Sequence, residues 1–204
     1  MWPCRVSTRW CFLMMDLTIT KAAVADAREA VRLIALADED AVMAISGQAT
    51  LADALARYEQ DFARTDVYFG YENVIVARKG ALVVGCILSF KGTDEDRYAA
   101  LDSQGGEFPR ESDDDEIYID SLAVDPDHRG GGIAKQLVRA VIGQAAAQGF
   151  TKVSLLADVS KPHLGKLYRS MGFVEVKRMR YLNDEYEKLV FDMTQANTPQ
   201  GYAT

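Results

Sequence analysis

The sequence predicts an α+β domain, and three observations carry that prediction. The chain has 204 residues, of which 49 % are hydrophobic and 26 % charged; that is enough for one ordinary core and too little for two. Val/Ile-rich runs recur in pairs, at 73–78 with 81–90 and at 175–181 with 186–193, the first joined by the tight turn Lys79-Gly80. A strand pattern over 117–124 is followed by a helical pattern over 133–148 and a further strand over 151–157. Hairpins and a strand–helix–strand unit therefore share one chain, and helices are expected to flank a sheet in an α/β sandwich.

Each element has its own signal. Residues 1–15, MWPCRVSTRWCFLMM, form a leader: the apolar patch from Trp10 to Met15 is too short for a signal-peptide core, and Asp16 follows without a small-residue cleavage site. The domain is read as 16–194, with 195–204 a polar tail. Leu17 to Thr20 alternates as a short strand, and Lys21 to Leu36 places Val24, Ala27, Val31 and Ile34 at helical spacing. After Gly47, Thr50 stands as an N-cap before Leu51, Leu55, Tyr58 and Phe62, one face of a second helix. Residues 91–115 contain few apolar side chains, the pair Gly105-Gly106 and an acidic run, so they read as a long connection beside a functional site. A short helix is expected over 162–171.

Composition excludes several function classes. Net charge is −7, from 23 Lys+Arg against 30 Asp+Glu. A nucleic-acid partner calls for a basic surplus or stripe, and the chain has neither. No apolar run approaches the ~20 residues that span a bilayer, so no membrane partner is expected. Cys4, Cys11 and Cys86 are an odd number without CxxC pairing, which fits a reducing, cytoplasmic compartment. His128 and His163 have no ligand spacing, and no metal is implied.

The chemistry lies between residues 117 and 134. A period of two puts Tyr118, Asp120, Leu122 and Val124 on one face of the strand and Ile117, Ile119, Ser121 and Ala123 on the other. Asp125-Pro126-Asp127 ends the strand. Arg129-Gly130-Gly131-Gly132-Ile133-Ala134 then leads into a helix, where bare backbone N–H groups and the helix N-terminus make an anion cradle. No Lys-Ser/Thr follows these glycines as a P-loop needs, and the third glycine of a dinucleotide fingerprint falls on Lys135.

What fits is the acetyl-CoA signature [RQ]xxGx[GA], met by Arg129, Gly132 and Ala134, and about thirty residues on the segment LGKLYRSMGF at 164–173. From about Leu17 to Met193 the chain resembles the GCN5-related N-acetyltransferase (GNAT) superfamily. The resemblance departs in two places: Lys161 stands where many members have Asn, and Leu164 where they have Ala.

The resemblance implies a mixed, mostly antiparallel twisted sheet whose fourth and fifth strands splay into a cleft. Acetyl-CoA would enter as co-substrate, its pantetheine arm against the backbone of Leu122, Ala123 and Val124. Its pyrophosphate would lie on Arg129, Gly130, Gly131, Gly132, Ile133 and Ala134. Tyr168 would protonate the departing thiolate, as a phenol of pKa about 10 can. Asp120, directly or through water, is the first candidate to deprotonate the amine acceptor, and Glu116 the second. Asp113, Asp114, Asp115 and Glu116 are expected to draw a cation towards the acceptor mouth, or to be a solvated charge run. The function implied is direct N-acetyl transfer in a ternary complex to a small amine or a peptide or protein amine, with a homodimer as an available assembly. The alternative is a non-catalytic acyl-CoA-binding sensor or interaction module.

Overall fold

The computed structural model describes residues 16–37, 39–102, 109–181 and 184–196. In chain order these build β1 (Leu17–Lys21), α1 (Ala27–Ala37), α2 (Glu39–Ser46), α3 (Leu51–Asp61), β2 (Val74–Lys79) and β3 (Leu82–Lys91). They continue with α4 (Glu95–Asp102), β4 (Glu116–Val124), α5 (Ile133–Ala147), β5 (Lys152–Asp158), α6 (Pro162–Arg169), β6 (Val174–Tyr181), β7 (Asp184–Asp192) and α7 (Met193–Ala196). The leader 1–15, the glycine pair at 105–106 and most of the tail lie outside the described residues.

The strands form one sheet in the order β1-β2-β3-β4-β5-β7-β6. Every neighbouring pair is antiparallel except β4 with β5, because α5 carries the chain across between those two strands. The expected mixed, mostly antiparallel sheet is thus present.

Each face of the sheet is covered by its own core. On one face α1 lays Ala30, Val31, Leu33 and Ile34 against Val74, Val76, Cys86, Leu88 and an aromatic group that includes Tyr58, Phe62, Phe69 and Phe90. On the other, Ile133, Leu137, Val138 and Val141 of α5 meet Ile75, Ala77, Val84, Ile87, Ile117 and Ile119. Gly85 admits that helix: a Cβ there would sit 3.2 Å from the Ile133 side chain and 3.1 Å from the Ala123 carbonyl oxygen.

Three details differ from the sequence expectation. The first helix begins only at Ala27, after a 3-10 turn over Val24–Asp26 that leaves Val24 exposed. That turn is held by the Asp26 carboxylate, which accepts from the Ala23 N–H at 2.7 Å and pairs with Arg78. A further helix, α2, fills part of the stretch before Gly47. The connection 91–115 is partly ordered into a 3-10 turn and α4, and its return limb is fastened to it. The Glu111 and Ser112 N–H groups donate to Glu95 at 2.7 and 2.8 Å, and Arg110 donates to the Gly92 carbonyl at 2.8 Å.

The fourth difference decides the site. Leu88 pairs with Ser121 and Ser89 with Ile119, which leaves Asp120 as an extra residue in β4. A bulge of this kind interrupts the alternation. Tyr118 therefore packs in the same core as Ala123, while Ile117, Ile119, Leu122 and Val124 share the other. Strict alternation had put Tyr118 with Leu122 and Val124; the bulge at Asp120 reverses that grouping.

Candidate active site

β4 and β5 pair over Glu116–Ile119 and Lys152–Leu155 only, although β4 runs on to Val124 and β5 to Asp158. Beyond Ile119 the two strands part, and a cleft of about 150 Å³ opens there. Its walls include Tyr118, Asp120 and Leu122 from β4, Leu156 and Asp158 from β5, and Tyr168 from α6.

The glycine turn follows the splayed end of β4 in the chain, between Val124 and the start of α5 at Ile133. Gly130 and Gly132 have φ of 85° and 76°, which favours glycine. Gly131 has no such φ, and a Cβ on it would meet nothing within 4 Å. Nothing among the described residues demands a glycine at 131. Gly132 caps α5 without a side-chain hydrogen bond, and the first turn of the helix has no acid. The orphan N–H groups and the positive end of the helix dipole therefore face outward, a fit for a pyrophosphate. Ile133 is buried and fixes the helix to the sheet, while Arg129 folds back so that its Nε donates to the Val124 carbonyl at 3.0 Å. The Asp125 N–H donates to the Val84 carbonyl of β3 at 2.9 Å, so by alternation Leu122 and Val124 turn their backbone groups to the splayed side.

Tyr168 is 6 % exposed, stacks edge-on against Phe173 with centroids 5.7 Å apart, and lines the cleft. Burial alone pushes its phenol well above the ordinary value, so it stays protonated and able to donate. Its helix is tied to β7 by a bidentate pair in which Arg169 meets Glu187 at 2.9 and 2.5 Å. Gly165 makes room for that pair, since a Cβ there would fall 2.3 Å from Glu187 Oε1.

The carboxylates divide. Asp120 is on the cleft wall, exposed, and accepts from the Ser121 hydroxyl at 2.7 Å. Glu116 is 1 % exposed and outside the cleft lining. Its Oε1 accepts from the Asp113 N–H at 2.8 Å and the Ser154 hydroxyl at 2.6 Å, and lies 2.7 Å from the fully buried Lys188 ammonium. Glu116 is a structural anion with no path to an acceptor, which corrects its reading as a second base. The acidic run is likewise engaged within the protein. Asp113 pairs with Lys188 at 2.7 Å, Asp115 with Lys152 at 2.6 Å, and Asp114 with Arg110.

Glu111, on the cleft wall, escaped sequence reasoning. Tyr118 donates its phenol to Glu111, and both face the cleft. Strand position pointed to Tyr118, but nothing in the sequence distinguishes Glu111 among the acids of its loop. Lys161, the departure from the resembled motif, pairs with Asp158 at 3.3 Å. Cys86 is buried away from the cleft, its thiol pushed up to about 12 by desolvation, which removes it as a nucleophile.

The parallel pair β4–β5 thus splays at the end from which the chain runs through the glycine turn into α5. The model of the Acetyltransferase (GNAT) family matches residues 31–173, and the chain belongs to that family. It is 37 % identical over 81 residues to N-alpha-acetyltransferase 30 of Saccharomyces cerevisiae, a match covering 38 % of this chain and 46 % of that protein. The chain thus spans about half, or less, of the length of the curated relatives it matches. Among solved structures, an N-acetyltransferase from Staphylococcus aureus Mu50 superposes with a TM-score of 0.73 at 23 % identity, over 85 % of this chain and all of that one. The NatC complex bound to Gag peptide and CoA contains a chain that superposes with a TM-score of 0.56 at 22 % identity, over 87 % and 98 % of the two chains. No helix of the described residues is long and apolar enough to cross a membrane.

Proposed function

We propose that the chain is an N-acetyltransferase that moves the acetyl group of acetyl-CoA to a primary amine by direct attack in a ternary complex. The observation that carries this reading is the end of β4–β5 pairing at Ile119 and Leu155, with Tyr168 and Asp120 on the walls of the gap. The family match and the CoA named with the NatC structure support the same donor.

In this reading the pyrophosphate rests on the N–H groups of residues 129–134, and the pantetheine arm runs along Leu122, Ala123 and Val124 as an additional strand. Asp120 is open to the cleft, so it removes the amine proton through water rather than as a buried base. The amine lone pair attacks the thioester carbon, the C–N bond forms, the C–S bond breaks, and Tyr168 gives its proton to the thiolate. A protonated phenol inside the cleft favours an enzyme over a sensor, which has no use for an acid there. A cytoplasmic setting belongs to the proposal and is supported by Cys86 as a free thiol. A homodimer is supported only by the open edge of β6, where Val174 and Val176 are exposed.

The test is thiol release from acetyl-CoA across a panel of primary amines. Release is expected with wild type, and Tyr168→Phe should lower kcat by about 10²-fold or more with little change in KM for acetyl-CoA. Binding of acetyl-CoA without release for any amine would instead mark a sensor.

A further inference from the structure

A larger cavity lies away from the splay, at the edge of the sheet where β1 and β3 end and β2 and β4 begin. It holds about 430 Å³, within the roughly 300–1,000 Å³ of small-molecule sites. Ile117, near the start of β4, and Gln144 and Gln148, at the end of α5, are on its walls. An α-helix rises about 1.5 Å per residue, so Gln144 lies roughly 17 Å along α5 from the glycine turn.

Three elements change from apolar to polar where they reach this cavity. Leu17 and Ile19 of β1 pack on the α5 face of the sheet, and Lys21 follows them at a period of two. Ile87 of β3 packs on the same face while Leu88 and Phe90 pack on the other, so Ser89 and Lys91 continue the row under α5. On the helix, Leu137 and Val141 give way to Gln144 and Gln148 at the same spacing. A face that is apolar for most of its length thus ends in ammonium, hydroxyl and amide groups around open space.

The walls are held by contacts of their own. Lys21 donates to the Glu72 carbonyl at 3.0 Å, which ties the end of β1 to the turn before β2. Asn73 spends its amide on the Tyr68 carbonyl at 2.8 Å and the Tyr98 phenol at 3.0 Å. Gly92 lets the chain after Lys91 pack tightly, since a Cβ there would fall 1.8 Å from the Asp113 carbonyl oxygen. Other groups are left for a ligand. Asp94 pairs with Arg97 at 3.5 Å, but Lys21, Lys91 and Glu72 form no ion pair with another described residue. Ser89 gives an independent sign: it is 6 % exposed, lines the cavity, and its hydroxyl makes no hydrogen bond to another described residue. An occupant of one charge would answer only the ammoniums or only the carboxylate; a zwitterion answers both.

We infer that this cavity binds a free α-amino acid with a polar side chain, at a site separate from the acetyl-transfer cleft. Its carboxylate lies between Lys21 and Lys91, which stand two strands or roughly 10 Å apart, and accepts from the Ser89 hydroxyl. Its ammonium meets the Glu72 carboxylate, and its side chain meets the amides of Gln144 and Gln148.

The test is calorimetry on the whole protein with L-glutamine, with 4-carbamoylbutanoate, which lacks the α-amine, and with 4-aminobutanamide, which lacks the α-carboxylate. L-Glutamine should bind with a Kd of about 1 mM or lower, and each analogue about tenfold more weakly. Lys91→Gln and Ser89→Ala should each raise the Kd for L-glutamine about tenfold. Lys91 is exposed, so its variant decides alone if Ser89→Ala does not fold. No binding of L-glutamine below about 10 mM, equal binding of either analogue, or an affinity that the variants leave unchanged would overturn the inference. The last result would put the amino acid somewhere other than this cavity.

Discussion

The two ends of the β4–β5 pair use the same chemistry in opposite ways. At the paired end, Glu116 and Lys188 are buried at 1 % and 0 % exposure, and Asp113 and Ser154 complete their hydrogen bonds. At the splayed end, Asp120 and Glu111 line a cavity, and no hydrogen bond to another described residue engages the Tyr168 phenol. The first arrangement satisfies its polar groups from within and stabilises the sheet. The second lines an open cleft with polar groups, among them the Tyr168 phenol. The one-residue bulge at Asp120 lies where one arrangement gives way to the other.

The comparison would break most visibly at Lys188. Truncating one member of a buried ion pair leaves the other charged and unsolvated. Lys188→Ala should therefore cost about 3–5 kcal/mol in denaturant unfolding, and a Lys188→Met, Glu116→Gln double variant should recover much of it. A loss no larger than that of an exposed pair would mean that the paired end does not depend on its charges.

Asp120→Asn probes the other end. It should lower kcat by about 10²-fold and leave the unfolding midpoint within the roughly 0.5 kcal/mol typical of exposed substitutions. A stability loss without a rate loss would make Asp120 a strand residue that happens to border the cleft.

Gly131→Ala sharpens the comparison at the cradle. The added methyl meets nothing in the protein, so stability should again stay within about 0.5 kcal/mol. The KM for acetyl-CoA should rise about tenfold, because the methyl stands where phosphate oxygens approach the N–H groups. An unchanged KM would place the pyrophosphate elsewhere.

How much of this was legible follows from the range of each signal. The glycine turn, α5 and Tyr168 were readable because their residue pattern is local: Arg129 to Ala134 carry their chemistry in consecutive positions. The hairpins and the crossover were readable from periodicity, and the capping of α3 from Thr50, whose hydroxyl accepts from the Asp53 N–H at 3.2 Å. The bulge was not, because β4 reads as uninterrupted alternation and the extra residue appears only against its partner strand. Glu116 and Lys188 lie 72 positions apart, so no window of sequence shows that one neutralises the other. Glu111 was hidden for the same reason: its role depends on Glu95 and Tyr118, reached through the fold of the connection.

The smallest expected effect is a pH dependence at the margin of the paired end. The hydrogen bond from Lys188 holds the Asp113 carboxyl below its ordinary value. A carboxyl depressed in the folded state contributes stability that is present above its unfolded value, about 3.9, and is lost as pH falls through the lower folded one. Asp113 is 63 % exposed in its side chain, so the contribution belongs in the range of solvent-screened pairs, about 0.2–1 kcal/mol. Asp113→Asn should accordingly be slightly less stable than wild type at neutral pH, and the gap should close as pH falls below about 4. Unfolding midpoints measured across that range give the answer. No gap at neutral pH would assign the stabilisation to Glu116 alone and make Asp113 a bystander, whereas a gap that persists unchanged in acid would assign it to something other than the carboxylate's charge.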